Sequence, residues 1–289
     1  APDSGINPQC LNMKYLSDLD TSPMSDKIAV LKTMIDSYSA WIEGLVQMSG
    51  DDNILKPQYQ AKAREHIENC RETCNRMQDG LSLLENPDNE IVRNAFQLAN
   101  RAMFMQRIHL KIQEVDKYPN DIELQDMLST LDYYTVEDKY SWRPFQLAFL
   151  LMSLKSIVDT ESSERDVVDL IWFPTGGGKT EAYLGLTAFT IFYRRMAYPS
   201  ESGGTAVIMR YTLRLLAAQQ FVRAATLICA CEAIRKDSER RKMYHEYPLG
   251  KETISIGLWI GGDHTPNKND IAKDKLNKLK SSSDIRFGK

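Results

Sequence analysis

Apolar residues along the first half of the chain recur at steps of three and four positions, which is the spacing of one face of an α-helix. The dipeptide Ser22-Pro23 suits the cap and first turn of such a helix, and Gly50 ends the first run. The pattern predicts helices over residues 23–50, 57–80, 89–112 and 122–131. Residues 1–20 carry turn formers and little periodicity, and they predict a loop-like lead-in. We therefore expect an all-helical N-terminal domain over residues 1–135.

Beyond Trp142 the pattern changes to short apolar runs that alternate with helical stretches. Short runs rich in β-branched and aromatic residues predict strands over residues 167–173, 205–209 and 253–260. Strands that alternate with helices are typical of α/β domains with a parallel sheet. The sequence therefore predicts a second, α/β domain over residues 136–289.

The first predicted strand leads into a glycine-rich turn and then a helix, in the sequence FPTGGGKTE at residues 173–181. Glycines lack the Cβ that would prevent the backbone from curling, so their N–H groups can point inward and bind phosphate oxygens. Lys179 would place a mobile cation at the β and γ phosphates, and the Thr180 hydroxyl would bind Mg²⁺. The general phosphate-loop pattern has glycine where this chain has Phe173. A plain turn between a strand and a helix is the alternative interpretation.

This stretch predicts ATP as the ligand and Mg²⁺ as the metal ion. Lys179 and Thr180 are the candidate catalytic residues. The candidate ATP-binding residues of the loop are Thr175, Gly176, Gly177, Gly178, Lys179, Thr180 and Glu181.

Composition limits the partners and the location that we expect. Hydrophobic residues make up 43% and charged residues 26% of the chain, as in ordinary globular proteins. Residues 235–289 carry 13 Lys and Arg against 8 Asp and Glu, whereas the preceding residues carry 23 against 31. A basic segment suits nucleic acid, although a solvated lysine-rich face explains it equally. An odd number of cysteines and the lack of a bilayer-length apolar run predict a cytoplasmic protein that binds no membrane.

Four motifs carry a resemblance to a known family. RPFQ (143–146), FPTGGGKTEAYLGL (173–186), RYTLRLLAAQQ (210–220) and GLWIGG (257–262) resemble, in this order, the bacterial superfamily 2 helicases of the DISARM antiphage type. The resemblance implies that residues 136–289 form a partial RecA-like P-loop lobe with a parallel sheet. It also implies ATP-driven translocation on nucleic acid, DNA rather than RNA, in a defence system with a partner subunit.

The same resemblance implies roles for residues outside the loop. Gln146, which shares its motif with Arg143, would read the adenine edge, with Trp142 or Tyr140 as candidate stacking neighbours. A helix residue that only caps or faces water is the alternative for Gln146. The nucleic-acid backbone would be contacted by Arg210, Thr212, Arg214, Gln219, Gly261 and Gly262. Surface charges that flank a helix, and a tight turn at the glycine pair, are the alternatives there.

The chain departs from that family because its 289 residues contain no Walker B acidic pair and no second RecA-like lobe. We therefore expect these residues alone to bind ATP weakly and to hydrolyse it negligibly. A nucleotide-gated protein-interaction module is the alternative function. A non-helicase P-loop NTPase such as a kinase is a third, against which Gln146 and residues 210–219 argue.

Overall fold

The computed structural model describes residues 6–18, 22–112, 140–174, 176–201, 203–211, 214–237, 249–259, 266 and 268–281. Within these ranges the chain forms α-helices joined by extended segments and by short 3₁₀ helices at Pro8–Leu11, Ser163–Asp166 and Pro199–Glu201. The α-helices are α1 (Met13–Ser17), α2 (Met24–Ser49), α3 (Pro57–Glu85), α4 (Glu90–Ile112), α5 (Pro144–Val158), α6 (Lys179–Ala197), α7 (Arg214–Lys236) and α8 (Asn269–Ser281).

The long N-terminal helices follow the predicted periodicity. α2 ends beside Gly50 as predicted, but it begins one residue later than predicted, with Pro23 rather than Ser22 as its cap residue. The expected loop at residues 1–20 is wrong for part of its length, because the side chains of Asn7 and Asn12 cap a 3₁₀ helix and α1. The predicted helix at 122–131 and the predicted domain boundary near residue 135 lie outside the described residues.

α3 continues through Gly80, where the sequence pattern predicts its end. The helix runs to Glu85, with Gly80 buried against α5. A Cβ at Gly80 would clash with the backbone carbonyl of Leu151. The glycine is therefore a contact point that lets two helices approach closely, and it does not terminate the helix.

Trp142 ties the N-terminal helices to α6. Its indole Nε1 donates a hydrogen bond of 2.8 Å to Asn100 Oδ1 inside the core. Its ring lies against Gly185 of α6, where a Cβ would come within 2.6 Å of the indole. Its backbone N–H donates to Leu11 O at 2.7 Å, beside an antiparallel bridge between Asn12 and Ser141. α4 consequently packs on both α6 and α7, and α3 packs on α5.

The predicted parallel sheet is wrong for the residues described. No strand forms at 167–173, 205–209 or 253–259, and no backbone hydrogen bond joins these described segments to one another. The partial RecA-like lobe with a parallel sheet is therefore absent from this part of the chain. Val168, Leu170 and Trp172 are 93%, 81% and 89% exposed, although their apolar character predicts a buried strand. An apolar run becomes a strand only if a neighbouring backbone pairs with it, and here the segments contact helices instead.

Charged side chains from the helices hold the extended segments in place. Arg76 of α3 donates to both carboxylate oxygens of Asp169, at 2.6 and 2.9 Å, and to Glu164 at 3.3 Å. These carboxylates raise the pKa of Arg76, and the hydrogen bond that Arg76 donates to Asp169 contributes most. The pair is mostly buried and bidentate, a geometry in which an ion pair fixes orientation.

The segment at 249–259 is held in the same manner by α6 and α7. Arg195 donates to Leu249 O at 3.3 Å and to Glu252 O at 2.6 Å. Glu232 accepts the N–H of Ile254 at 3.0 Å. The hydrogen bond from Arg235 is the largest cause that lowers the pKa of Glu232, to about 2.

None of the helices in the described ranges is both long enough and apolar enough to span a bilayer.

We predict that Gly80→Ala destabilises the protein by about 1 to 3 kcal/mol, because the added methyl pushes α3 away from the Leu151 carbonyl. Gly44→Ala in α2 is the matched control, since a Cβ there meets nothing within 4 Å. The control should gain about 0.5 to 1 kcal/mol from helix propensity. Thermal unfolding of the three proteins measures both effects. An equal gain in both variants would contradict the close contact at Gly80.

Candidate phosphate-binding site

The loop between the segment at 167–174 and α6 is curled. Gly176 and Gly178 have φ values of 79° and 87°, in the left-handed region that side chains disfavour. Gly178 is the cap residue of α6, which begins at Lys179 as predicted. A Cβ at Gly177 would clash with the ring of Phe173, which itself stacks on Phe145 at 4.2 Å between ring centroids. The loop is therefore curled at Gly176 and Gly178, and Gly177 and Gly178 are closely packed.

Lys179 lies across the mouth of this loop. Its Nζ donates to Phe173 O at 2.5 Å and to Pro174 O at 3.1 Å. The N–H of Gly177 donates to Pro174 O at 3.0 Å and closes the turn. The ammonium group thus donates to two backbone carbonyls. A bound anion would take the place of these carbonyls as the acceptor. Thr180 follows on the first turn of α6 and is half-buried.

Gln146 and Arg143 reach the loop from the start of α5. Gln146 is buried, and its Nε2 donates to Gly178 O at 2.7 Å. Its Oε1 accepts the N–H of Arg143 at 2.7 Å. The Arg143 guanidinium donates to Gly177 O at 2.9 Å. Both residues are therefore next to the loop, as the motif predicts, but they bond its carbonyls.

The two candidate stacking residues differ in their surroundings. Trp142 is 2% exposed and committed to the core, so its ring is closed to a ligand. Tyr140 is half-buried and contacts Phe104 edge to face at 6.0 Å between centroids. The stacking role is wrong for Trp142, because packing against Gly185 buries the indole.

Glu181 lies on the first turn of α6 and is buried. Its Oε1 pairs with the guanidinium of Arg223 on α7 and lies 3.5 Å from Arg107 Nη1 on α4. Burial lowers the pKa of Arg223, and the charge of Arg107 lowers it further. The carboxylate thus sits behind the loop in an ion cluster built from three helices.

The candidate nucleic-acid residues are only partly within the described chain. Arg210 is exposed in the segment at 203–211, Arg214 is the first residue of α7, and Gln219 is exposed on that helix. Thr212, Gly261 and Gly262, like Thr175 of the loop, lie outside the described residues. The structure thus brings Arg210 near the N-terminal half of α6, where residues 207–211 and Tyr183 border a cavity of about 290 Å³.

A larger cavity of about 780 Å³ lies between α6, α7 and the segments at 203–211 and 253–259. Its lining combines apolar side chains with polar ones, including Arg194, Arg195 and Arg210, and contains none of the loop residues at 173–181. The loop residues at 173–181 line neither of these two cavities.

Sequence reasoning missed the arginines that position these segments. Arg76, Arg107, Arg195 and Arg223 carry no motif, and their partners lie far along the chain. Arg223 stands within the largely apolar stretch FVRAATL, and a cation in such a stretch is the one available signal that it has a buried partner.

The described residues contain no cluster of three or more His, Cys, Asp or Glu side chains that could hold a metal ion. A Mg²⁺ ion at this loop would therefore need oxygen ligands from its nucleotide as well as the Thr180 hydroxyl.

Comparison with known proteins gives one informative match, and no protein-family model matches the chain. The chain is 35% identical over 250 residues to DISARM protein DrmA of Bacillus paralicheniformis. The match covers 85% of this chain and 20% of the relative, so the chain spans about one fifth of that protein's length. By sequence, the chain is a DISARM-related protein.

Proposed function

We propose that this chain binds ATP with Mg²⁺ at residues 173–180 and serves as the nucleotide-binding segment of a helicase or translocase in antiphage defence. The relative named DISARM protein DrmA supports the defence role. The proposed track is DNA rather than RNA, and the proposed partner is a second subunit of a defence complex. The enzymatic activity that we propose for the full-length protein is ATP hydrolysis coupled to movement along the nucleic acid, and we expect negligible hydrolysis by these 289 residues alone.

The observation that carries the proposal is the curled glycine loop, whose last glycine is the cap residue of α6. Gly178 has a left-handed backbone and is followed at once by Lys179, so the first N–H groups of the helix face the loop. The first turns of a helix leave N–H donors without intrahelical partners, and the helix dipole favours an anion there. A triphosphate supplies the many acceptor oxygens that such a loop can bind.

The loop residues fit a nucleotide with its metal ion. A Cβ at Gly178 would come within 2.6 Å of Gln146 Nε2, so only glycine allows this close-packed curl. Lys179 would transfer its hydrogen bonds from the carbonyls of Phe173 and Pro174 to the phosphates. The Thr180 hydroxyl would hold Mg²⁺, which supplies partial neutralisation of the phosphate charge.

We predict that Lys179→Ala lowers the affinity for Mg²⁺-ATP at least about tenfold, because a charge-assisted hydrogen bond to phosphate is lost. Lys62→Ala is the matched control, since Lys62 is exposed on α3 and pairs with Glu65 there. Isothermal titration calorimetry with a non-hydrolysable ATP analogue measures both variants. Equal affinities for Lys179→Ala and the wild type would refute nucleotide binding at this loop.

Gln146 acts on the nucleotide through the loop in our proposal. Both ends of its amide are occupied, by Gly178 O and by the N–H of Arg143, and the side chain is buried. A glutamine that braces the loop affects every nucleoside triphosphate alike. A glutamine that reads the base edge affects ATP alone.

We therefore predict that Gln146→Met weakens ATP and GTP binding by a similar factor, about three- to tenfold, the value of one buried hydrogen bond. Titrations with both nucleotides give the ratio of the two losses, and thermal unfolding confirms that the variant is folded. A loss confined to ATP would support the adenine-reading role that the family resemblance implies.

A second candidate function is a nucleotide-gated interaction module. The observation in its favour is that α4 of the N-terminal region packs directly on α6, the helix that begins at the loop. Loop occupancy could thereby be passed to the N-terminal helices without any nucleic acid. Single-stranded DNA affinity at increasing salt concentration separates the two functions, because each phosphate contact adds about 0.7 to the slope.

For the translocase we predict a slope of about −2 or steeper, and a reduction of about 0.7 in Arg210→Ala. Arg210 is exposed beside the segment that leads into α7, so its charge can reach a phosphate. Arg64→Ala on the exposed face of α3 is the matched control and should leave the slope unchanged. A slope near zero for the wild type would favour the interaction module.

A further inference from the structure

Glu181 occupies the third position of α6, where a glutamate usually turns back to its own helix terminus. In a capping box this side chain accepts the backbone N–H of the cap residue, here Gly178. The structure has another arrangement, in which Glu181 Oε1 pairs with Arg223 and lies 3.5 Å from Arg107 Nη1. The other oxygen, Oε2, is buried and has no hydrogen-bond partner among the described residues.

The unpartnered oxygen lies close to the loop. A Cβ placed on Gly178 would be 3.5 Å from Glu181 Oε2. A small rotation would therefore bring the carboxylate to the N–H groups at the start of α6. Those N–H groups are the donors that a phosphate would use.

A carboxylate at these donors would oppose a triphosphate in two ways. It would occupy the N–H groups, and it would place a negative charge several ångströms from the bound phosphates. Burial makes this repulsion stronger than it would be in water, since the interaction grows as the effective dielectric constant falls. Glutamate at this position is thus a potential competitor of the ligand.

The two arginines come from outside α6. They attract the Glu181 carboxylate and so oppose its movement toward the N–H donors. Arg107 belongs to α4 and Arg223 belongs to α7, so the cluster forms only when the three helices pack together. Gln106 Nε2 donates to the backbone carbonyl of Arg223 at 3.4 Å and adds a further link between α4 and α7. Arginine remains protonated in proteins, so the attraction on Glu181 persists at any physiological pH.

We propose that Arg107 and Arg223 are positioning residues that hold the Glu181 carboxylate away from the phosphate loop and so keep its N–H donors open to polyphosphate. This inference rests on the proposed function, because it concerns the same loop. It deepens that function by proposing that residues of the neighbouring helices keep the loop able to bind its ligand. The ligand class is an inorganic or nucleoside polyphosphate.

Inorganic tripolyphosphate is the probe for the test, because it engages the loop without a base or sugar. We expect Arg223→Met to weaken tripolyphosphate binding about tenfold or more, since Glu181 then turns toward the donors. The double variant Glu181→Gln with Arg223→Met should return to within about threefold of the wild-type affinity. Rescue of binding is the decisive readout once thermal unfolding shows that the single variant is folded, because removal of the unpaired carboxylate can also restore stability.

Arg71→Met on α3 is the matched control, since Arg71 pairs with Glu43 and Glu68 far along the chain from the loop. It should leave the affinity unchanged. If Arg223→Met does not fold, Arg107→Met provides the second variant, because Arg107 is partly exposed and the same direction with a smaller factor, about threefold, is expected.

The outcomes separate the inference from the proposed function. Wild-type protein that binds neither tripolyphosphate nor Mg²⁺-ATP would overturn both. Wild-type protein that binds, with Arg223→Met equally tight or with a double variant as weak as the single one, would overturn this inference alone. Loss in the single variant and recovery in the double variant would support it.

Discussion

The packing of the Trp142 indole sets the geometry on which the glycine-rich loop at 173–181 depends. The ring lies against Gly185 of α6, and its Nε1 bonds Asn100 of α4. The residues that follow Trp142 directly are those that reach the loop from α5, namely Arg143 and Gln146. One buried side chain therefore fixes both α6, which carries Lys179, and the start of α5. The distance between Gln146 and Gly178 follows from this shared anchor, because a close-packed interior leaves little freedom to adjust.

The backbone carbonyls of the loop accept hydrogen bonds from nearby side chains, some of them charged. Gly177 O and Gly178 O are bonded by side chains from α5, and Lys179 bonds the carbonyls of Phe173 and Pro174. The carbonyls of Gly177 and Gly178 are thus engaged by side chains at the start of α5. The buried carboxylate of Glu181 is the one negative charge that the described structure places directly behind this curl. Its pairing with cations of α4 and α7 links the N-terminal helices to the chemistry of the loop.

Long-range arginine contacts also explain why the extended segments keep their positions without a sheet. Arg76 holds Asp169, and Arg195 holds the carbonyls of Leu249 and Glu252. Arg194 donates to Thr205 O at 3.1 Å and anchors the remaining segment. A guanidinium has several donors in a rigid plane, so it can fix a backbone that has no neighbouring strand. The apolar side chains of the segment at 167–173 stay exposed, because the arginine contact that holds this segment buries neither of its faces.

The sequence by itself determined the helices and the loop. Periodicity located α2 and α4, and the glycine run before Lys179 identified the turn and the start of α6. These features are local, since capping, propensity and backbone conformation depend on residues a few positions apart. The role of Gly80 was misjudged for the opposite reason, because Leu151, the residue that requires a glycine there, is distant in sequence.

Only the tertiary structure decided which residues surround the loop and whether the extended runs pair. The partners of Glu181 and Asp169 come from helices far along the chain, and no periodicity indicates them. Apolar runs predict strands, yet pairing depends on a neighbouring backbone and not on the run itself. The residues at 167–173 were therefore incorrectly placed in a sheet. Local structure depends on residues that are adjacent in the sequence, whereas contact between distant segments depends on how the whole chain packs.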